Sequence, residues 1–164
     1  MTLYQTIQYL KYKWKAKGRH GTHSPFVYAF VEGVLRDTAK GWPINKIVRY
    51  FHFNEIRNSG VAVNADISAS LADSAAEDTL RQFNRLYLVD ISKGSGRGSI
   101  KDILAVIQQD DVLIVLPLYK NEAEATCWAL VKDAPEVKLS MDLFDIGIAF
   151  FRDEFKVKQH FILK

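Results

Sequence analysis

The chain has 164 residues, 48% hydrophobic and 25% charged, with a formal net charge of +3, which is the make-up of one globular domain large enough to bury a core. No apolar run approaches the ~20 residues needed to span a bilayer, and the start Met1-Thr-Leu-Tyr-Gln5 lacks the basic and apolar regions of a secretory signal. The single Cys127 excludes an internal disulfide and a cysteine metal cluster, so a cytoplasmic location without a membrane partner is expected.

Residues 3–16 read as a helix, because Leu3, Ile7, Leu10 and Trp14 recur at helical spacing and define one apolar stripe expected to face the core. Lys11, Lys13, Lys15 and Lys17 spread around that helix, which Gly18 ends. Ser24 has the chemistry of an N-cap and Pro25 suits a first helical turn. A second helix over 25–36 then carries Phe26, Phe30, Val31 and Val34 inward. Lys40-Gly-Trp-Pro43 is a break, followed by a short helix over 44–51.

From there strands and helices alternate. Residues 61–67 read as a strand, 72–83 as a helix with capping-box spacing at Ser74 and Glu77, and 86–91 as a buried strand. Gly94-Ser-Gly-Arg-Gly98 reads as a loop, with Ser99 capping a helix to about residue 108. A second buried strand follows over 112–118. Asn121, with Glu124 three residues on, starts a helix that ends before Pro135. Residues 137–152 supply one long or broken strand and 159–163 another. The link over 153–158 is too short for a crossover helix, so an antiparallel last pair is expected. The pattern predicts an α/β domain with a mainly parallel sheet. Two regions are expected, packed as one compact unit: a basic helical extension over 1–52 and a sheet domain over 53–164.

Charge is uneven. Residues 1–60 hold ten Lys and Arg against three Asp and Glu, whereas 61–164 hold twelve against sixteen. The first third is therefore a candidate face for an anionic ligand or a nucleic acid, or else a basic layer packed on an acidic remainder. Lys17, Arg19, His20 and His23 can together bind phosphate, and Tyr4, Tyr9, Tyr12 and Trp14 interleave with lysines as a stacking surface would. The plainer alternatives are a hydrogen-bonded turn at the histidines and a buried stripe for the aromatics. His20 and His23 with His52 make a poor metal set, because nothing in the sequence brings the third close.

Gly94, Gly96, Arg97 and Gly98 lie between a buried strand and a helix, where a phosphate loop belongs. They lack the Lys-Ser/Thr pair of a P-loop, and a flexible turn is the simpler reading. Asp90, near the end of its strand, can orient a substrate or cap the following loop. It is the one weak catalytic candidate, and without a second carboxylate nearby it makes no metal site. Cys127 and Trp128 read as core.

The segment Lys11-Tyr-Lys-Trp-Lys-Ala-Lys-Gly-Arg-His-Gly-Thr-His-Ser-Pro-Phe-Val27 resembles the N-terminal signature of a family of class I S-adenosylmethionine-dependent methyltransferase-like proteins of Bacteroidetes-type bacteria. Asp111-Val-Leu-Ile-Val-Leu116, Ala129-Leu-Val-Lys-Asp-Ala-Pro-Glu-Val137, Met141-Asp-Leu-Phe-Asp-Ile-Gly-Ile-Ala-Phe-Phe-Arg152 and Gln159-His-Phe-Ile162 are similar to the same family. The resemblance implies a Rossmann-like methyltransferase fold with an N-terminal helical extension. Its sheet would be reduced to about five strands in the order one, four, five, seven, six, because two outer strands have no counterpart here.

The family's acidic-Gly-x-x-x-Gly loop, which cradles the methyl donor, is absent after residues 61–67, and Leu116-Pro117 stands where the family has paired aspartates. Of the family's acidic positions Asp90 alone is matched. The resemblance thus implies a degenerate protein with a lost or impaired donor pocket, no or weak catalysis and no cofactor, S-adenosylmethionine being expected only if a donor pocket survives. An active methyltransferase with a rearranged donor site and a polyanion- or RNA-binding or oligomeric module are the alternatives, with a homodimer through an exposed edge at residues 61–67.

Overall fold

The computed structural model describes residues 1–16, 23–36, 43–62 and 81–164. Its elements are built around two runs that bury both faces. In β2 (Gln82–Asp90) and β3 (Asp111–Leu116) the runs 86–89 and 112–115 alternate between two apolar layers. Leu86, Leu88, Val112 and Ile114 face one cluster; Tyr87, Val89, Leu113 and Val115 face the other. A strand buried on both faces reads as a continuous apolar run, as these two do.

The first layer comes from α2 (Pro25–Phe30), a π-helical turn (Val31–Leu35) and α3 (Pro43–Tyr50). Ser24 caps α2, accepting from the Val27 N–H at 3.4 Å, with Pro25 in the first turn. Phe26, Phe30, Phe51, Phe83 and Phe150 pack ring against ring, with centroids 5.1–5.8 Å apart in six of their pairs. The second layer comes from α4 (Gly94–Val106) and α5 (Glu122–Asp133). The extension expected over 1–52 ends on the first residue of β1, and its α2 and α3 form one of the two layers covering the sheet.

Among the described residues the sheet has six strands in the order β1-β2-β3-β5-β4-β6, with β1 (His52–Ser59), β4 (Leu139–Asp142), β5 (Gly147–Phe150) and β6 (Gln159–Ile162) completing it. β1, β2 and β3 are parallel neighbours, β5 runs antiparallel to both β3 and β4, and β6 is parallel to β4. The α/β class with a mixed sheet is therefore as expected, but strand number and placement differ.

The first strand lies at 52–59, earlier than residues 61–67, of which 63–67 are outside the described residues. Its exposed Asn54, Glu55, Arg57 and Asn58 hide it from a hydrophobicity reading, because an edge strand needs only one anchored face. The expected helix over 72–83 also ends too late, since Gln82 and Phe83 belong to β2 and 72–80 lie outside the described residues. Residues 40–42 of the expected break do as well.

The run 137–152 is a hairpin. Its turn contains neither Gly nor Pro: Phe144 takes φ 70°, and the Asp142 carboxylate accepts the Phe144 N–H at 2.9 Å. A bulky residue in that region is rare, which is why the sequence allows a broken strand over 137–152 but does not mark where it turns. The antiparallel pairs are thus β3 with β5 and β4 with β5, and the C-terminal strand lies at the edge, parallel to β4, rather than between β3 and the strand run of 137–152.

α1 (Leu3–Lys15) departs most from expectation. Its Leu3, Ile7, Leu10 and Trp14 stripe faces solvent, and no residue of the helix is buried. The opposite face docks instead. The Tyr9 and Tyr12 rings lie 5.1 and 5.3 Å from Phe144, and the Tyr12 hydroxyl donates to the Leu163 carbonyl. Burial, with Asp142 nearby, raises the Tyr12 pKa to about 12, so that hydroxyl remains a donor.

Candidate functional site

In an open parallel sheet, ligands gather outside the C-terminal ends of the strands. Here β1 leads into Asn58-Ser59-Gly60-Val61, a turn closed by its own side chain: Asn58 Nδ2 donates to the Val61 carbonyl at 2.8 Å, and Asn58 Oδ1 accepts from the Val61 N–H at 3.0 Å. Gly60 sits at φ +85°, a conformation that favours glycine. Across the gap, at the end of β2, Asp90 Oδ1 accepts from the Ser92 N–H at 2.9 Å and from the Ser92 hydroxyl at 2.6 Å.

Lys93 bridges the two strand ends. Its Nζ donates to the Gly60 carbonyl at 3.1 Å and lies 3.5 Å from Asp90 Oδ2. Partial burial pushes the Asp90 carboxyl pKa up, but the two Ser92 hydrogen bonds and the Lys93 charge outweigh it, and the net shift is downward. Asp90 thus caps the loop, one of the two roles its position allowed. Lys93 escaped sequence reading, although its place three residues after Asp90 was the available signal.

The glycine stretch is a helix start and not a loop. Gly94, Gly96, Arg97 and Gly98 all lie in the first turns of α4, which begins five residues before Ser99. The Ser99 hydroxyl donates to the Gly96 carbonyl at 2.8 Å instead of capping. Gly96 is there for packing: a Cβ would sit 1.8 Å from the Asp90 carbonyl oxygen. Arg97 Nη1 donates to the Ile91 carbonyl at 3.0 Å, so its charge serves the strand-to-helix turn.

Of the basic candidates, Lys17, Arg19 and His20 lie outside the described residues. His23 is exposed, and with Ser24, Pro25 and Phe26 it lines a cavity of about 610 Å³ whose far wall is Phe155, Lys156 and Val157. Arg81 also lines it, with its guanidinium 4.4 Å from the Tyr50 ring centroid. A smaller polar cavity of about 440 Å³, between His52, Asn84, Asp110 and Arg152, opens beside the starts of β1 and β2. Arg152 Nε pairs with Asp110 at 2.9 Å and its guanidinium covers the Phe83 ring at 4.0 Å. His52 therefore lies apart from His23, and no three metal-ligating side chains cluster among the described residues.

A third polar group is buried at the far side of the sheet. Asp142, fully buried, accepts from the Tyr119 hydroxyl and from Trp128 Nε1 at 3.3 Å. Burial and this carboxylate raise the Tyr119 pKa, which keeps the phenol protonated. The cluster anchors α5 and the β4–β5 turn. Cys127 and Trp128 are core, as expected. No described helix is long and apolar enough to cross a membrane. Comparison with protein-family models, with curated proteins and with solved structures found no match to this chain.

Proposed function

We propose that this chain is a methyltransferase-like α/β domain whose donor crevice is closed by its own side chains, so that methyl transfer is lost or weak. The Lys93 bridge is the observation that supports this reading. A donor nucleoside needs a strand-end carboxylate free to accept ribose hydroxyls and needs open space beside it. Asp90 instead holds Ser92 and Lys93, and Lys93 crosses the gap to Gly60. The end of β1 and the residues after it, Asn58-Ser59-Gly60-Val61-Ala62, also lack an acidic-Gly-x-x-x-Gly pattern.

Calorimetric titration of the full chain with S-adenosylmethionine and with its demethylated product tests this reading, and no micromolar binding is expected. A micromolar Kd overturns it in favour of an active enzyme with a rearranged donor site, for which Asp90→Ala should then weaken the affinity.

The cavity of about 610 Å³ favours a second reading, a module that binds a small amphipathic anion. Its size suits a small ligand, its walls are mainly apolar, and Arg81 and Lys156 outnumber the single Glu154. Fluorescence titration with anilinonaphthalene sulfonate should show saturable binding to the folded chain. Ala29→Phe, which fills the space, and Lys156→Glu, which reverses a rim charge, should each weaken it. Affinity unchanged in both variants would reject this reading.

A further inference from the structure

At about 100° per residue, Leu3, Ile7, Leu10 and Trp14 fall within about 60° of the α1 circumference. Trp14 is 89% exposed, Leu3 79%, Leu10 62% and Ile7 44%. Apolar side chains so concentrated and so open form a ridge that is unusual for a surface helix. The ridge is held outward, because the opposite face is taken by Tyr9 and Tyr12 on Phe144 and by the Tyr12 hydroxyl on Leu163. Thr2 and Gln5 complete a capping box, so the helix is well started.

The charged side chains of α1 all have one sign. Lys13 stands on one shoulder of it, and Lys11 and Lys15 on the other. No Asp or Glu occurs in the chain before Glu32. We propose that α1 is an interfacial helix that lays the Leu3–Ile7–Leu10–Trp14 ridge into the surface of an anionic lipid bilayer, with Lys11, Lys13 and Lys15 at headgroup level.

Lysines on both shoulders suit a plane of negative charge, and their long stems let the ammonium groups reach outward while the ridge sinks. Tryptophan favours the boundary between headgroups and acyl chains. A second copy is a poor occupant, since ridge-to-ridge pairing would bring the lysines of both helices together. A polyanion without apolar surface would leave the ridge in water. Lying on a bilayer needs one apolar face and not a spanning length, so the shortness of α1 is no obstacle.

Co-sedimentation of the full chain with phosphatidylcholine vesicles, with and without about 30% phosphatidylserine, tests the proposal. Each lysine near such a surface is worth about fivefold in partitioning, so three predict roughly a hundredfold preference for the anionic vesicles at low salt. Leu10→Glu should reduce binding more than tenfold. Replacing Lys11, Lys13 and Lys15 with Gln should erase most of the lipid preference while leaving weak binding. All four positions are exposed, and thermal melts matching the unaltered chain would show that the variants fold. The proposal is overturned by equal partitioning into both vesicle types, by no partitioning, or by Leu10→Glu binding as before. It is equally overturned by a concentration-dependent dimer that Leu10→Glu dissociates, which would assign the ridge to a second copy.

Discussion

α1 and α5 are built from the same local grammar and end up in opposite situations. They span 13 and 12 residues, and each begins with a complete capping box, Thr2 with Gln5 and Asn121 with Glu124. α5 buries Glu124, Cys127, Trp128 and Val131 against the sheet, whereas α1 buries nothing and turns its apolar stripe outward. A stripe of apolar residues at helical spacing states that a face seeks cover. It does not state what covers it.

The largest effect that separates the two helices comes from their tryptophans. Trp128→Ala should cost about 3–5 kcal/mol of unfolding free energy, because a fully buried indole leaves a cavity and its Nε1 partner Asp142 loses a donor. Trp14→Ala should change it by less than about 0.5 kcal/mol, since that ring is almost entirely in solvent. Denaturant melts of both variants check the pair. A large loss at Trp14 would mean that α1 packs by its apolar face after all.

A smaller contrast lies in the caps. Asn121→Ala, which removes acceptors for the Ala123 and Glu124 N–H groups, should lower global stability by about 1 kcal/mol. Thr2→Ala should speed amide exchange in the first turn of α1 and leave the global midpoint unchanged, because α1 can fray by itself. If both substitutions shift the midpoint equally, the two helices belong to one cooperative unit.

The smallest expected effect is pH dependence beneath α5. His160 lies 6.3 Å from the Trp128 ring, and its Nδ1 pairs with Ser140 Oγ at 2.8 Å. Burial, helped by the Lys132 charge, lowers its pKa from 6.5 to about 4. The folded protein therefore disfavours the protonated ring. This contribution to stability is complete above pH 6.5 and is lost as the pH falls from there through about 4. By surface area the His160 side chain is exposed, so solvent screens the shift and the loss should be modest. His160→Gln should flatten that part of the stability curve, and an unchanged slope between pH 6.5 and 4 would remove His160 as its source.

Much of the frame was legible because it rests on local signals. The buried runs gave β2 and β3, Ser24 with Pro25 gave the start of α2, and Asn121 with Glu124 gave α5. β1 was not legible, because a polar edge strand carries little apolar pattern. The β4–β5 hairpin was hidden by a turn built on Phe144 in place of glycine. At the candidate site, Asp90 was recognised and its loop-capping role foreseen as one option. The glycines were mistaken for a loop, because nothing local announces that Gly96 must slip past the Asp90 carbonyl.

Local signals were enough to mark α2, α5 and the two strands buried on both faces, β2 and β3, since caps and apolar runs act over a few residues. Which side of α1 is covered and how the gap between β1 and β2 is filled were set by the packed fold. Those outcomes depend on Tyr12 reaching Leu163 and Lys93 reaching Gly60, contacts between residues far apart along the chain, which no short-range pattern encodes.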